Sequence, residues 1–252
     1  MKDAQSQQQP ERARSSAGQA QHLLAQGSIE QLMSSTGYRA SNPAGRREAP
    51  PSPLRQELKR ETAVLHQRLE AQLGLLDPAL SLARYRRVLQ MLYGFYAPLE
   101  AGLVPLAAAG LPLGFPLRTR SQLIQDDLLA LGLSRREVAE QPRCGVLPRL
   151  SCLEDLAGCL YVLEGACLGG QVIAPLLYRR FGVAQGSGAS FFVGDAEGTS
   201  ARWMLVLAWL EVVACSGART EEIVAAARAT FQTISRWAER QGASPPSVGG
   251  AP

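Results

Sequence analysis

One histidine in the middle of the chain has the neighbours that a metal-binding histidine needs. His66 lies in "LKRETAVLHQRLE", with Thr62 four residues before it and Glu70 four residues after it. At helical spacing these residues, and Lys59 seven residues before His66, lie on or near one face of a helix. A neutral imidazole is a good ligand for iron or zinc, and Glu70 can accept the proton of its other nitrogen. The simpler alternative is a histidine at the edge of the core, paired with Glu70 as an ordinary i,i+4 neighbour.

A metal site built only from protein ligands is not indicated around His66. The chain has 2 histidines, and the other, His22, lies in a polar N-terminal segment where an exposed tail residue is expected. No HxxE or ExxH spacing accompanies His66, and the 5 cysteines show no CxxC spacing. The arrangement that fits is a single protein ligand to a metal held by another framework. The iron of haem is such a metal, because the porphyrin supplies four of its donors.

A second segment combines helical periodicity with glycines that a helix does not favour. The segment is "YVLEGACLGGQVIAPLL", residues 161–177, and it contains Gly165, Gly169 and Gly170. Each glycine in a helix interior costs about 1 kcal/mol relative to alanine, so something is expected to approach the backbone closely. Gly165 and Gly169 share one face, which is extended by Gly158, Tyr161 and Val172. Either a neighbouring helix or a flat ligand fits this face, and Gly170 is left unassigned.

The periodicity of the remaining sequence predicts the helices that position these two segments. Ser52 followed by Pro53 is a good N-cap and first-turn pair, and leucines then recur at three- and four-residue steps. The predicted helices span about 54–73, 81–103, 118–132, 134–141, 152–181, 199–216 and 220–241. No convincing alternation of the strand type is present. The sequence therefore predicts a single all-α domain over residues 52–241.

The two ends of the chain have a different composition. Residues 1–51 are rich in Gln, Ser, Ala, Arg and Pro, which cannot bury enough apolar surface to offset the entropy of ordering. We predict disordered tails over 1–51 and 242–252. The N-terminus has no apolar signal region and "WMLVLAWL" is too short to span a membrane, so a cytoplasmic protein without a membrane partner is expected. The net charge of +4 is spread along the chain, which argues against nucleic acid.

Taken together, the two motif segments resemble the haem oxygenase family, and most closely its bacterial, biliverdin-producing branch. The resemblance extends over about 54–240 and includes the "FF", "G" and "W" of 191–203. It implies an all-α fold in which haem lies between the first, proximal helix and the glycine-bearing, distal helix. It also implies an enzyme for which haem is both cofactor and substrate. Such an enzyme opens haem oxidatively to biliverdin and releases carbon monoxide and ferrous iron.

The resemblance assigns roles to residues on both sides of the haem. His66 corresponds to the ligand of the haem iron, and Glu70 to the residue that hydrogen-bonds this histidine in some members. Gly165 and Gly169 correspond to the distal glycines that leave room for dioxygen and direct it. Tyr161 corresponds to an aromatic residue against the pocket.

The resemblance also implies basic residues at the propionate edge of the haem, since propionates are carboxylates. Lys59 matches a position that pairs with a propionate in some members. We predict Arg202 as a second propionate partner, with Arg179 and Arg180 as competing candidates.

Two features depart from the family pattern, and several partners are implied. Ala166 stands where animal-type members carry an aspartate that organises distal water, and the helix at 199–216 has fewer basic residues than expected. Besides haem and dioxygen, the implied partners are an external electron donor and a bilin acceptor such as a phytochrome. The donor is a ferredoxin or a reductase, because no GxGxxG motif is present. The alternatives are a haem-binding or carrier module without turnover and a haem-free helical interaction domain.

Overall fold

The computed structural model describes residues 52–108, 115–194 and 198–242, and this part of the chain is helical with no strand. The predicted all-α fold is confirmed. The helices are α1 Pro53–Leu73, α2 Leu82–Ala108, α3 Ser121–Ala130, α4 Arg135–Ala139, α5 Leu153–Phe181, α6 Ser190–Val193, α7 Thr199–Cys215 and α8 Thr220–Arg240. The predicted N-terminal tail, and the predicted C-terminal tail beyond Gly242, lie outside the described residues.

The ends of α1 follow from the residues at them. Ser52 is the N-cap, and its side chain accepts a hydrogen bond from the Arg55 amide at 3.2 Å, while Pro53 occupies the first turn. Gly74 ends the helix in the left-handed conformation, with φ of 59°, and its amide donates to the carbonyl of Glu70. Ser52 also donates to the carboxylate of Glu211 in α7, so the start of α1 is fixed against that helix.

The short helix α6, which the sequence did not predict, is held by a buried carboxylate. Asp127 in α3 accepts hydrogen bonds from the amides of Ser190 at 2.7 Å and Phe191 at 2.8 Å. The pKa of Asp127 is raised above its ordinary value, because the effect of burial outweighs the opposing effect of these two hydrogen bonds. The consequence for the fold is that Phe191 and Phe192 of α6 are buried in the core.

Helix α5 contacts α8, α7 and α6 and is the central helix of the fold. A Cβ atom on Gly158 would lie 2.4 Å from the carbonyl oxygen of Ile223 in α8. A Cβ atom on Gly170 would lie 2.1 Å from the carbonyl oxygen of Phe192 in α6. Both glycines are therefore needed where another backbone approaches α5. This assigns Gly170 to helix packing and corrects the prediction that Gly158 extends the ligand-facing surface.

Within the described residues, α5 is the helix that length and composition alone would allow to cross a membrane. Its most apolar 18-residue stretch has a mean hydropathy of 1.5, and 39% of that stretch is buried inside the fold. From the sequence, the apolar run that lies in α7 was the segment expected to be too short to span a membrane. Because α5 is packed against three other helices and lines a cavity, we interpret its composition as that of a core helix.

We expect Gly158→Ala and Gly170→Ala each to lower the free energy of unfolding by about 1–3 kcal/mol, since the added methyl group meets backbone that cannot move aside. Urea denaturation of the purified variants measures this change. Gly165→Ala is the matched control, because a Cβ there meets only a tryptophan ring at an ordinary contact distance of 3.4 Å. This control should be as stable as the wild type, or more stable by up to about 1 kcal/mol. Equal stabilities for the three variants would contradict the packing role.

Candidate functional site

A cavity lies between α1 and α5, and α2, α6, α7 and α8 complete its walls. Its volume, measured as the space that the centre of a water-sized sphere can occupy, is about 210 Å³. Most of its wall is apolar or aromatic. The residues of the sequence prediction that line it are Lys59, His66, Glu70, Tyr161, Gly165 and Gly169. The fold thus brings two segments that are distant in sequence into the wall of one cavity.

The histidine of α1 is oriented by two neighbours. Nδ1 of His66 lies 3.6 Å from Oε1 of Glu70, which is an electrostatic contact rather than a hydrogen bond at this distance. The Glu70 side chain is 9% exposed and the His66 side chain 33% exposed. The ring of Phe231 in α8 meets the imidazole edge-on, with the ring centroids 5.7 Å apart. The imidazole is therefore at the cavity wall, with one nitrogen turned to a carboxylate that is largely shielded from water.

The part of the cavity wall that α5 contributes is less tightly packed at Gly165 than at Gly158 and Gly170. A Cβ on Gly165 would meet only the ring of Trp203, at 3.4 and 3.6 Å, which is ordinary van der Waals contact. Tyr161 packs against the same ring, with centroids 5.6 Å apart. Helix packing therefore does not require glycine at position 165, in contrast to positions 158 and 170. Of the two explanations offered by the sequence, room for a ligand fits Gly165 better.

The cavity also contains residues that the sequence analysis did not assign to it. Trp203 and Tyr96 line it, and Tyr96 is 3% exposed. Burial raises the pKa of Tyr96, with nearby Arg120 opposing the shift, so the phenol is neutral at physiological pH. The available signal was the aromatic cluster "YGFYAP" in α2, which the periodicity marks as core without indicating a cavity. Ala166 also lines the cavity.

The structure does not support the predicted role of Arg202 as a propionate partner. Arg202 is 6% exposed and does not line the His66 cavity. Its Nε donates to Oε2 of Glu164 at 2.8 Å, its Nη2 donates to the other carboxylate oxygen, and its Nη1 donates to the carbonyl of Pro116 at 2.9 Å. The guanidinium also lies 5.1 Å from the ring centroid of Phe115. Arg202 is thus a buried structural residue of α7 that pairs with Glu164 of α5 outside the His66 cavity.

The two competing candidates also lie away from the His66 cavity. Arg179 and Arg180 line a separate groove near the C-terminal end of α5. Nη1 of Arg180 donates to the carbonyl of Asp77 at 2.6 Å. Among the described residues that line the His66 cavity, Lys59 is the only lysine or arginine.

We expect Arg202→Met to lower the free energy of unfolding by about 3–5 kcal/mol, because the carboxylate of Glu164 is left buried without its partner. The double variant Glu164→Leu with Arg202→Met should recover much of this loss, since it removes both charges. Urea denaturation of the single and double variants measures both effects. Wild-type stability of Arg202→Met would contradict the structural role and would make Arg202 a candidate for binding a propionate again.

Comparison with known proteins identifies the family of this chain. The family model described as heme oxygenase matches residues 52–240, a range that contains every helix of the described residues. A protein named heme oxygenase from Xanthomonas campestris pv. campestris (strain 8004) is 33% identical over 148 residues, covering 58% of this chain and 81% of the relative. The family match covers more than half of the chain and contains both walls of the cavity. The chain belongs to the haem oxygenase family.

Proposed function

We propose that this protein binds haem in the cavity between α1 and α5, with His66 as the iron ligand, and opens it oxidatively to biliverdin. The observation that carries the proposal is that His66 of α1 and the glycines Gly165 and Gly169 of α5 line one cavity. Neither feature alone distinguishes a ligand site from ordinary packing. Together they put an imidazole that could bind a metal and two residues without side chains into the wall of one cavity.

The chemistry of the wall fits haem. A porphyrin is flat and apolar over its faces, and the cavity presents apolar and aromatic side chains such as Phe95, Phe191 and Trp203. Its propionates are anionic, and Lys59 is a cation at the same cavity. Bound haem would supply the iron that activates dioxygen and the ring that is oxidised.

On the proximal side, Glu70 is proposed to determine how His66 binds the metal. Because Nδ1 faces Glu70, iron would be bound through Nε2. A carboxylate at Nδ1 fixes the ring orientation and makes the imidazole a stronger donor. The contact with Phe231 restricts rotation of the ring further.

On the distal side, Gly165 and Gly169 are proposed to leave room for dioxygen beside Trp203. Ala166 cannot carry a proton, so proton delivery would use water or the hydroxyl groups of Tyr96 and Tyr161, both of which line the cavity. The neutral state of Tyr96 suits it to donate a hydrogen bond there. We further propose that electrons come from a separate ferredoxin or reductase, in the cytoplasm, and that the bilin passes to an acceptor such as a phytochrome.

One observation favours a second candidate function. Among the described residues that line the cavity, Ala166 follows Gly165 and offers no carboxylate that could organise water. A haem-binding or carrier protein without turnover would have the same cavity and the same iron ligand. The two functions differ only after a reductant is added.

The test begins with the purified full-length chain mixed with hemin. An oxygenase shows a Soret band, which decays under air when a reductant is added while bilin absorption grows. A Soret band that persists through this treatment indicates the carrier. Absence of a Soret band would overturn both haem functions.

We expect His66→Ala to abolish normal turnover, because the iron loses its protein ligand. Glu70→Gln should keep the Soret band but lower haem affinity or turnover by about 10- to 100-fold, the usual effect of removing a partner of a ligand histidine. The same spectroscopic assay measures both variants, and Gln67, exposed on the same helix, offers Gln67→Ala as a neutral control. Unchanged turnover in His66→Ala would refute the ligand assignment.

We expect Gly165→Ala to fold normally yet to slow haem degradation by about 10- to 100-fold, because a methyl group would occupy space needed for correct placement of the reactants. Single-turnover rates after reduction provide the measurement. Stability is checked in parallel, since the fold tolerates a Cβ at this position. A rate equal to that of the wild type would show that Gly165 does not shape the distal space.

A further inference from the structure

Helix α7 presents an apolar stripe to solvent. Met204, Leu205 and Val212 are 50%, 54% and 66% exposed, and Ala208 and Cys215 are exposed as well. These five residues lie on one face, because they recur at helical steps of three and four. The other faces of α7 are also largely apolar and pack against α5 and α1. A helix that is apolar on all sides is expected to be covered on all sides, so the stripe indicates an interaction surface.

The stripe itself carries no charge. The charged residues of α7 are Arg202, which is buried and paired with Glu164, and Glu211, which lies at the edge of the stripe. A helix that lies on a membrane surface carries lysines or arginines beside its apolar face, and α7 has no exposed one. The composition of the stripe therefore favours a protein segment as its occupant over a lipid surface.

The contact between α1 and α7 shows where the preceding chain meets the fold. The hydroxyl of Ser52, directly before α1, donates to the carboxylate of Glu211 at the edge of the stripe. Residues 1–51 are covalently attached at this point. The N-terminal part of the chain therefore joins the fold beside the exposed apolar residues of α7.

Two other stretches that the structure does not describe meet the fold elsewhere. Beyond α8, the chain continues from a helix whose last turn carries Glu239, which accepts hydrogen bonds from Arg68 and Gln72 of α1. These two residues lie about 25 Å along α1 from Ser52. Phe115, which follows residues 109–114, packs against Trp209, which is buried and outside the stripe. Proximity to the stripe thus favours residues 1–51.

The apolar residues of this N-terminal part are concentrated in one place. Its large apolar or aromatic residues other than Met1 and Tyr38 all lie within 23–33, in "AQHLLAQGSIEQLMSS" at 20–35. Residues 34–51 connect this segment to Ser52, and a chain of that length reaches roughly 23 Å even when coiled. Met204, at the far end of the stripe, lies only about 10 Å along α7 from Glu211. The segment can therefore reach the whole stripe.

The size of the stripe favours an attached segment over a second copy of the chain. Three large side chains that are half to two-thirds exposed offer roughly 300 Å², whereas each partner of a stable complex buries about 800 Å². An attached segment needs less area, because its effective concentration on a flexible connection is on the order of millimolar.

We propose that residues 20–35 dock on the α7 stripe, with the large apolar side chains of 23–33 covering Met204, Leu205 and Val212. The small side chain of Ala208 between them lets the segment approach α7 closely. Trp203, next to Met204, lines the His66 cavity, so the docked segment restrains the helix that carries this ring. The stripe is outside that cavity, and the proposal does not depend on the oxygenase activity.

The test is peroxide oxidation of the purified full-length chain, followed by mass spectrometry of each methionine. A methionine thioether is oxidised where the reagent reaches it. We expect Met204 and Met33 to react at least about tenfold more slowly than free methionine, because each reacts only while the segment is undocked. Met91, which is 2% exposed, is the buried reference. Oxidation of Met204 as fast as that of free methionine would overturn the proposal.

Val212→Asp tests the stripe. Its side chain is 66% exposed in the described fold, so the substitution should not unfold the chain, and circular dichroism checks this. We expect oxidation of both Met33 and Met204 to accelerate at least about fivefold, because docking would bury a carboxylate. Val146→Asp is the matched control, since Val146 is 59% exposed and lies between α4 and α5. Equal rates in the two variants would contradict docking on α7.

Leu24→Gln combined with Leu32→Gln tests the segment, and Gln8→Ser combined with Gln9→Ser is its control within the same N-terminal part. We expect only the leucine double variant to accelerate oxidation of Met204. If Met204 stays protected in that variant, another part of the chain covers the stripe and the proposal fails. Protection that increases with protein concentration, together with a dimer in sedimentation, would assign the stripe to a second copy and would also overturn the proposal.

Discussion

The position of α5 depends on two places where a neighbouring backbone comes too close for any side chain. At Gly158 the neighbour is α8, and at Gly170 it is α6. These contacts hold the helix at both ends of a stretch that includes Gly165 and Gly169. Between them, a Cβ on Gly165 would meet only the side chain of Trp203, and the cavity opens there. Glycine thus serves two purposes along one helix. The distance from each glycine to the nearest backbone of another element distinguishes the packing glycines from the one that lines the cavity.

The part of the cavity wall that contains His66 belongs to α1, so it depends on how α1 is held. Ser52 caps α1 and contacts Glu211 of α7, which fixes one end of the helix. Gly74 ends α1 one turn after Glu70, so the histidine and its carboxylate both lie in regular helix. Helical geometry then places Nδ1 of His66 near Glu70 without any contribution from distant residues. This wall is local in origin, whereas the wall formed by α5 depends on long-range packing.

That difference explains which features could be predicted from the sequence. Periodicity and caps are local, so the longer helices were predicted to within a few residues, and the pairing of His66 with Glu70 followed from spacing. Helix α6 was missed because its start is held by Asp127, which lies far away in sequence. The prediction that Gly158 extends the ligand-facing surface was wrong, because helical spacing shows which residues share a face but not which element packs against that face. Arg202 was misassigned because nothing in its own helix shows that Glu164 and Pro116 use its donors.

The buried pair of Glu164 and Arg202 has a consequence for the cavity on the other side of α5. Burying two charges carries a desolvation penalty, so the pair adds little to the free energy of unfolding. Its contribution is instead to specify one orientation of α5 relative to α7. Glu164 immediately precedes Gly165, and its carboxylate is held by two donors from α7. A rotation of α5 by one residue, about 100°, would separate these charges and would turn Gly165 away from Trp203. The ion pair therefore selects the rotation of α5 at which Gly165 lines the same cavity as His66.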